Sequence, residues 1–161
     1  TAANSLILDN GGAGGATKFG VDTTGTVAGV LSRGESHGAQ TWDQFARVAL
    51  TTNSGGVTAT ATNLIPAGCI VIGVTSRVTT ILAGAALTTF QLGDGTTTNA
   101  FAATAAITAN STTNLTNHVA TWVPKVYTAA TSVVLTANAG VFSSGVIEII
   151  VHYMSLTAPT S

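Results

Sequence analysis

Charge is the scarcest property of this sequence. Asp, Glu, Lys and Arg together make up 7% of its 161 residues, whereas an ordinary soluble domain contains about 25%. Five basic and six acidic residues give a net charge of −1, and no run of Lys and Arg is present that could neutralise phosphates. We therefore expect neither nucleic acid nor an anionic membrane surface as a partner.

Cysteine and long apolar runs are scarce as well. The single cysteine, Cys69, has no partner for a disulfide within the chain, and its apolar neighbours are typical of a buried thiol. The mean hydropathy is +0.46, yet no stretch approaches the roughly 18 consecutive apolar residues of a membrane-spanning helix. We therefore expect no insertion into a membrane.

The surface must instead consist of Thr, Ser, Asn, Gly and Ala. A chain of 16.0 kDa has a large surface relative to its volume, and charged residues normally keep such a surface hydrated. The simplest physical explanation for the scarcity of charged residues is that much of the apolar area is buried against other copies of the chain.

The pattern of apolar residues predicts strands. Thr, Val and Ile are abundant, and apolar residues alternate with polar ones along most of the second half. Strands are predicted over residues 57–64, 70–80, 88–92, 100–108, 120–127, 132–137 and 146–154. The fold class is therefore all-β, a jelly-roll-like antiparallel β-sandwich. One window, residues 36–48, places Trp42, Phe45 and either Val48 or Ala49 at helical spacing and predicts a short helical turn.

The first third of the chain has a different sequence pattern from the rest. Phe19 and Val21 alternate with polar residues, a turn follows at Asp22, and residues 26–31 return as a second strand, which predicts a β-hairpin. An isolated hairpin is marginal in water, so this one must pack on something. A Gly-bearing loop at residues 51–56 then suggests the boundary. We expect a shaft or attachment segment over residues 1–55 and the sandwich domain over residues 56–161.

The last predicted strand is apolar on both faces. Ile147, Ile149, Val151 and Tyr153 alternate with a second set that includes Ile150. One face of an antiparallel sheet normally meets water, so this strand is expected to be central, with one face in the core and the other against a neighbouring subunit.

Motifs for catalysis or metal binding are weak. One segment matches the Gly-x-Ser-x-Gly nucleophile elbow, with Ser36 as the nucleophile, but no alternation of strands and helices supports it. The histidines His37, His118 and His152 lack the spacing of a local metal site, although one histidine per chain around a threefold axis remains an alternative. Asp94 lies between two glycines, which favours a β-turn over a calcium loop. We expect no enzyme activity, no metal and no cofactor.

Residues suited to glycan binding are more plentiful. Aromatic rings stack on sugar faces, and neutral side chains hydrogen-bond to hydroxyl groups. A place in the core or in an interface is the more ordinary role for Trp122 and Tyr127. The candidates for contact with a receptor are Trp122, Tyr127, His118, Asn114, Asn117 and Trp42.

Several segments, taken in order, carry a resemblance to a known class of proteins. They are Leu64-Ile65-Pro66-Ala67-Gly68, residues 71–79 (VIGVTSRVT), Phe90-Gln91-Leu92-Gly93-Asp94-Gly95, residues 134–145 (VLTANAGVFSSG) and Val151-His152-Tyr153. Residues 57–154 thus resemble the C-terminal domain of bacteriophage tail-fibre and virion-spike proteins. Residues 18–27 (KFGVDTTGTV) are similar to the short repeats of phage fibre shafts, although only one such unit is present.

The resemblance implies a homotrimer in the virion. It further implies a β-rich distal knob that recognises a bacterial surface receptor, often a polysaccharide, while the N-terminal segment joins other virion proteins. No catalytic residues of the family map onto this chain. The expected trimer-interface residues are Phe19, Val21, Ile147, Ile149, Ile150 and Val151.

Two other functions remain open at this stage. The chain could be a capsid decoration or cement protein whose first 55 residues clamp onto a shell. It could also be a glycan depolymerase or esterase that uses Ser36 with a histidine and an acid.

Overall fold

The computed structural model describes residues 33–34, 40–53 and 55–157. The predicted hairpin, with Phe19 and Val21, lies outside these residues, as do Ser36 and His37. The strands are β1 (Arg33–Gly34), β2 (Gln40–Thr51), β3 (Thr58–Ile65), β4 (Cys69–Ala83), β5 (Thr89–Gly93), β6 (Ala102–Ala106), β7 (Thr112–Thr113), β8 (Lys125–Tyr127), β9 (Thr131–Ala137) and β10 (Ser144–Thr157), and a 3₁₀ helix spans Leu115–Asn117.

The described residues fall into two compact units. One unit is Phe45–Tyr153, and it holds the strands from β3 to β9 with most of β2 and β10. The other contains the described residues 33–34, 40–44 and 154–157, and in it β1 pairs antiparallel with the start of β2. The predicted division at residue 55 stays a prediction.

Two antiparallel sheets make up the sandwich. In one sheet β2, β10, β4 and β7 are neighbours in that order, and β8 also pairs with β4; the other sheet has the order β3, β9, β5, β6. If β7 and β8 are counted as one position beside β4, the eight positions from β2 to β10 follow the orders 1-8-3-6 and 2-7-4-5. This is the strand order of a jelly roll, so the predicted fold class is confirmed.

The core lies between the two sheets. Ile147, Ile149 and Val151 of β10 are fully buried there, and on β9 the buried positions are Val133, Leu135 and Ala137. The period of two along both strands is what a half-buried strand requires. The largest fully buried side chains include Phe90, Phe101, Phe142, Ile65, Leu82 and Leu92.

Two local predictions were wrong. Residues 36–48 were expected to contain a helical turn, but residues 40–51 form strand β2, in which Ala46, Val48 and Leu50 pack against the core. An apolar spacing of three suits a helix, but this segment also alternates, and pairing with β10 decided the outcome. Residues 120–127 were expected to form one strand, but only Lys125–Tyr127 does so. The short strand β7 was not predicted.

Among the described residues no helix is long and apolar enough to cross a membrane.

Candidate binding surface

Four of the six predicted receptor contacts lie in one short segment after β7. Asn114 caps the 3₁₀ helix, and its side-chain oxygen accepts from the Thr116 amide over 2.8 Å. The Asn117 side-chain oxygen in turn accepts from the Asn114 amide over 2.8 Å. This reciprocal capping box satisfies backbone amides that the short helix leaves open. Both side-chain oxygens therefore have a structural role.

His118 and Trp122 form an aromatic cluster with Phe101. The His118 and Trp122 ring centroids are 4.4 Å apart at an interplanar angle of 84°, and Trp122 meets Phe101 edge to face at 5.9 Å. Such edge-to-face pairs are favourable because the positive ring edge points at the negative ring face. Both His118 and Trp122 are half-buried, so each presents only part of its ring to solvent.

The polar atoms of this cluster are unevenly satisfied. His118 Nε2 lies 3.0 Å from the Val74 carbonyl oxygen and 3.4 Å from the Val74 amide nitrogen, so the tautomer decides whether it donates or accepts. His118 Nδ1 and Trp122 Nε1 are buried without a hydrogen-bond partner. Gly73 allows the cluster to pack closely, because a Cβ there would overlap the Leu115 side chain.

Tyr127 lies in the core rather than at an open surface. It is 6% exposed, and its hydroxyl donates to Asp94 Oδ2 over 2.9 Å. Lys125 Nζ contacts the same oxygen at 2.5 Å and stands 4.6 Å from the Tyr127 ring centroid. Burial raises the pKa of the Tyr127 hydroxyl, and the neighbouring Asp94 carboxylate raises it further.

Asp94 organises the turn after β5, as the turn interpretation predicted. Its Oδ1 accepts from the amides of Thr96 and Thr97, over 3.2 and 2.9 Å. Burial acts to raise the pKa of Asp94, but the Lys125 ammonium and the hydrogen bonds from Thr97 and Tyr127 outweigh it, so the pKa is held below its ordinary value. Both carboxylate oxygens are thus engaged by the protein itself. Across the described residues no group of three or more His, Cys, Asp and Glu side chains is arranged to hold a metal ion.

The remaining predicted residues are scattered. Trp42 lies in β2. Three of the expected interface residues, Ile147, Ile149 and Val151, are fully buried in the core of a single chain. Ile150 points to the opposite side of β10 and is half-buried. Of the expected interface residues that the structure describes, only Ile150 is therefore placed to contact a neighbour.

The sequence indicated only one strand, β10, of an apolar surface that the structure exposes. This surface is the side of the β2-β10-β4-β8 sheet that faces away from the core, here called the outer face. Phe45, Ile81, Ile72 and Val126 are 68%, 51%, 38% and 60% exposed on it. The outer face consists of Phe45, Arg47 and Ala49 of β2, Val146, Glu148, Ile150 and His152 of β10, Ile70, Ile72, Thr75, Arg77, Thr79 and Ile81 of β4, and Val126 of β8.

The polar side chains of the outer face are bound to one another or to nearby groups. Arg47 forms an ion pair with Glu148 Oε1. His152 Nε2 and the Thr75 hydroxyl are 3.1 Å apart, and the Thr79 hydroxyl donates to the Val146 carbonyl oxygen over 3.1 Å. Arg77 lies on this face as well and donates to the Asn110 side-chain oxygen over 2.7 Å. Covering this face would therefore leave few polar groups without a partner.

The opposite side of the sandwich has a different chemistry. On the β3-β9-β5-β6 sheet, the positions that alternate with buried ones are mostly hydroxyl or amide side chains, and none carries a charge. They include Thr58, Thr60, Thr89, Gln91, Ser132 and Thr136. Water can hydrate the neutral hydroxyl groups on this side, whereas the outer face combines aliphatic side chains with paired charges.

Comparisons with known proteins give little more than a general likeness. No protein-family model matches the chain, and no curated protein matches it. Among solved structures, a chain of the cyanophage Pam1 capsid asymmetric unit is similar, with a TM-score of 0.48 and 19% sequence identity. The match covers 78% of this chain and 92% of that one.

Proposed function

We propose that the chain is a structural protein of a bacteriophage virion, that it assembles as a homotrimer, and that it attaches the particle to the bacterial surface. The resemblance of residues 57–154 to the C-terminal domains of phage fibres and spikes supports this proposal. The jelly roll supports it too, because viral capsid and carbohydrate-binding domains use this architecture widely. The N-terminal segment would then join the chain to other virion proteins.

The observation that carries the proposal is a chain with 7% charged residues whose β-sandwich exposes Phe45, Ile81 and Val126 on one sheet. On a poorly charged protein, an exposed apolar sheet face promotes aggregation of a free monomer. In an assembly the same face is buried and stabilises the contact between subunits. Trimer formation is tested by light scattering coupled to size exclusion. We expect a mass three times 16.0 kDa that persists at low micromolar concentration. A monomer under these conditions would contradict the proposal.

For the attachment role we propose a neutral glycan as the ligand, bound beside the His118–Trp122 pair. The partly exposed aromatic side chains of His118 and Trp122 support this assignment, together with the exposed neighbours Leu115 and Val123. Binding of the purified protein to immobilised bacterial polysaccharides tests it. Trp122→Ala should abolish binding without changing the native mass, while Val123→Ala on the adjacent exposed residue serves as the matched control. Equal binding by both variants would remove the glycan site from this cluster.

A second role, capsid decoration, is favoured by a specific observation. Asn114 and Asn117 cap their own helix and Tyr127 is buried, so several predicted receptor contacts already have partners within the chain. A decoration protein needs no receptor site. Cosedimentation with phage heads stripped of this chain, combined with no binding to bacterial cells, would favour decoration over attachment.

The proposal includes no catalysis. Ser36 stands without a βαβ framework in the sequence, and the described sandwich is an all-β fold rather than the α/β sheet on which a nucleophile elbow works. Incubation of the protein with bacterial polysaccharide should release no reducing ends and no acyl groups. Release that disappears in Ser36→Ala would establish the enzymatic alternative instead.

A further inference from the structure

The outer face combines two properties that point to a protein partner. Its exposed side chains are aliphatic or aromatic, with Phe45 and Ile81 at 68% and 51% exposure. The polar contacts described above engage Arg47, Glu148 and His152 within the chain. A neighbour that covers this face therefore gains the burial of apolar area and leaves few hydrogen bonds broken.

The dimensions of the face suit a stable interface. Strands β2, β10 and β4, at about 4.8 Å spacing and over a length of about 40 Å, together with the three-residue strand β8, span roughly 600 Å². A stable protein interface buries about 800 Å² on each partner. The face thus supplies a substantial part of the area that an assembly needs, and the neighbouring surface supplies the rest.

The charges of the face complement those of a second copy. Arg77 donates to the neutral Asn110 side chain, so this contact leaves its positive charge without an opposite charge. Glu148 meets Arg47 through Oε1, and a carboxylate has about four acceptor positions in total. Arg77 of one copy can therefore pair with Glu148 of another, and this contact would orient the two faces.

We propose that the outer faces of three copies pack against one another around a threefold axis, so that the β2-β10-β4-β8 sheets line the inside of the trimer and the hydroxyl-rich sheets face the solvent. This arrangement rests on the proposed homotrimer and adds which surface forms it. It explains why aliphatic residues and the Arg47–Glu148 ion pair share one sheet, while the other sheet is neutral and polar. It also turns the hydroxyl-rich side outward as the surface available to a host or to solvent.

Matched substitutions test the arrangement. Ile81→Glu on the outer face and Val57→Glu outside it alter two aliphatic residues of equal exposure, 51% in each case. Phe45→Glu provides a second change on the outer face. Both outer-face variants should remain folded, as measured by circular dichroism. Their trimers should already dissociate at a protein concentration at least about 100-fold higher than that at which the wild-type trimer dissociates, because the new carboxylate is buried without a partner. Val57→Glu should keep the native mass of the wild type.

The possible failures can be told apart. A monomeric wild type would refute the proposed homotrimer itself. A trimeric wild type whose Ile81→Glu and Phe45→Glu variants remain equally stable trimers would refute only this interface. If these variants fail to fold, carbene footprinting of the wild type decides, because Phe45 and Ile81 should be protected in the trimer while Val57 is labelled. Labelling of all three residues to the same extent would overturn the inference.

Discussion

Lys125 Nζ lies 2.5 Å from Asp94 Oδ2, and this contact joins β8 of one sheet to the turn that follows β5 of the other. The same carboxylate accepts from Tyr127 and from two backbone amides. Asp94 is 4% exposed, so one buried acid connects the two layers of the sandwich at this edge. A charge can remain in such a position because several donors surround it.

Loss of this acid should destabilise the sandwich. We expect Asp94→Ala to lower the free energy of unfolding by about 2 kcal/mol or more, because the Tyr127 hydroxyl and the Thr97 amide lose their acceptor. Lys125→Met should cost less than about 1 kcal/mol, since the Lys125 side chain is 44% exposed and water screens its charge. Urea denaturation of the two variants measures the difference. Equal losses would show that the ion pair, rather than the hydrogen bonds, dominates.

Stability should also depend on pH through Asp94. Its pKa is lower in the folded chain than the ordinary value of 3.8, because its donors outweigh the effect of burial. The contribution of this group is therefore fully present above about pH 4 and is lost as the pH falls through the folded pKa. Melting temperatures between pH 2 and pH 6 should fall on the acid side for the wild type and change less for Asp94→Asn. Parallel curves would assign the acid sensitivity to other groups.

Two glycines with similar positive φ angles should respond differently to substitution. Gly140 and Gly68 have φ angles of +69° and +72°, which L side chains rarely adopt. A Cβ at Gly140 would overlap the backbone of Ala85, whereas a Cβ at Gly68 would meet nothing within 4 Å. We expect Gly68→Ala to cost about 1 kcal/mol from the backbone alone and Gly140→Ala considerably more. Denaturant midpoints of the two variants measure the difference. Equal midpoints would contradict the close approach of Gly140 to the backbone of Ala85.

Neighbouring residues on β10 should separate folding from assembly. Ile149 is fully buried in the core, so Ile149→Glu places an unpaired carboxylate there and should prevent folding. Ile150 points to the outer face and is half-buried, so Ile150→Glu should fold and fail to assemble. Circular dichroism reports the fold and light scattering reports the mass. An unfolded Ile150→Glu would mean that both sides of β10 belong to the core.

Local sequence was sufficient for the strands with strong alternation. On β9 and β10 the buried positions follow a period of two; β9 was predicted over nearly its whole length, and β10 over its central part, residues 146–154. Prediction was poorer where the pattern was ambiguous. β2 carries apolar residues at spacings of both two and three, and β7 and β8 are too short to have a period at all.

The candidate binding surface was only partly predictable. Aromatic and amide residues between positions 114 and 127 were identified from their side-chain chemistry. Their sequence did not indicate that Tyr127 would be buried beside Asp94 or that Asn114 and Asn117 would cap a helix, because these arrangements depend on a turn and on a distant strand. The preference of Asn for helix N-caps was the available signal for the capping box.

The sequence by itself determined that the chain is all-β, that its surface is nearly free of charge, and which side chains alternate along each strong strand. These properties are local or additive, so composition and periodicity are enough to establish them. Only the tertiary structure decided which strands are neighbours, which face of each sheet meets the core, and that Phe45, Ile81 and Val126 share one side. Such relationships arise because hydrogen bonding and burial bring together residues far apart along the chain, and no local pattern records which partner a strand will find.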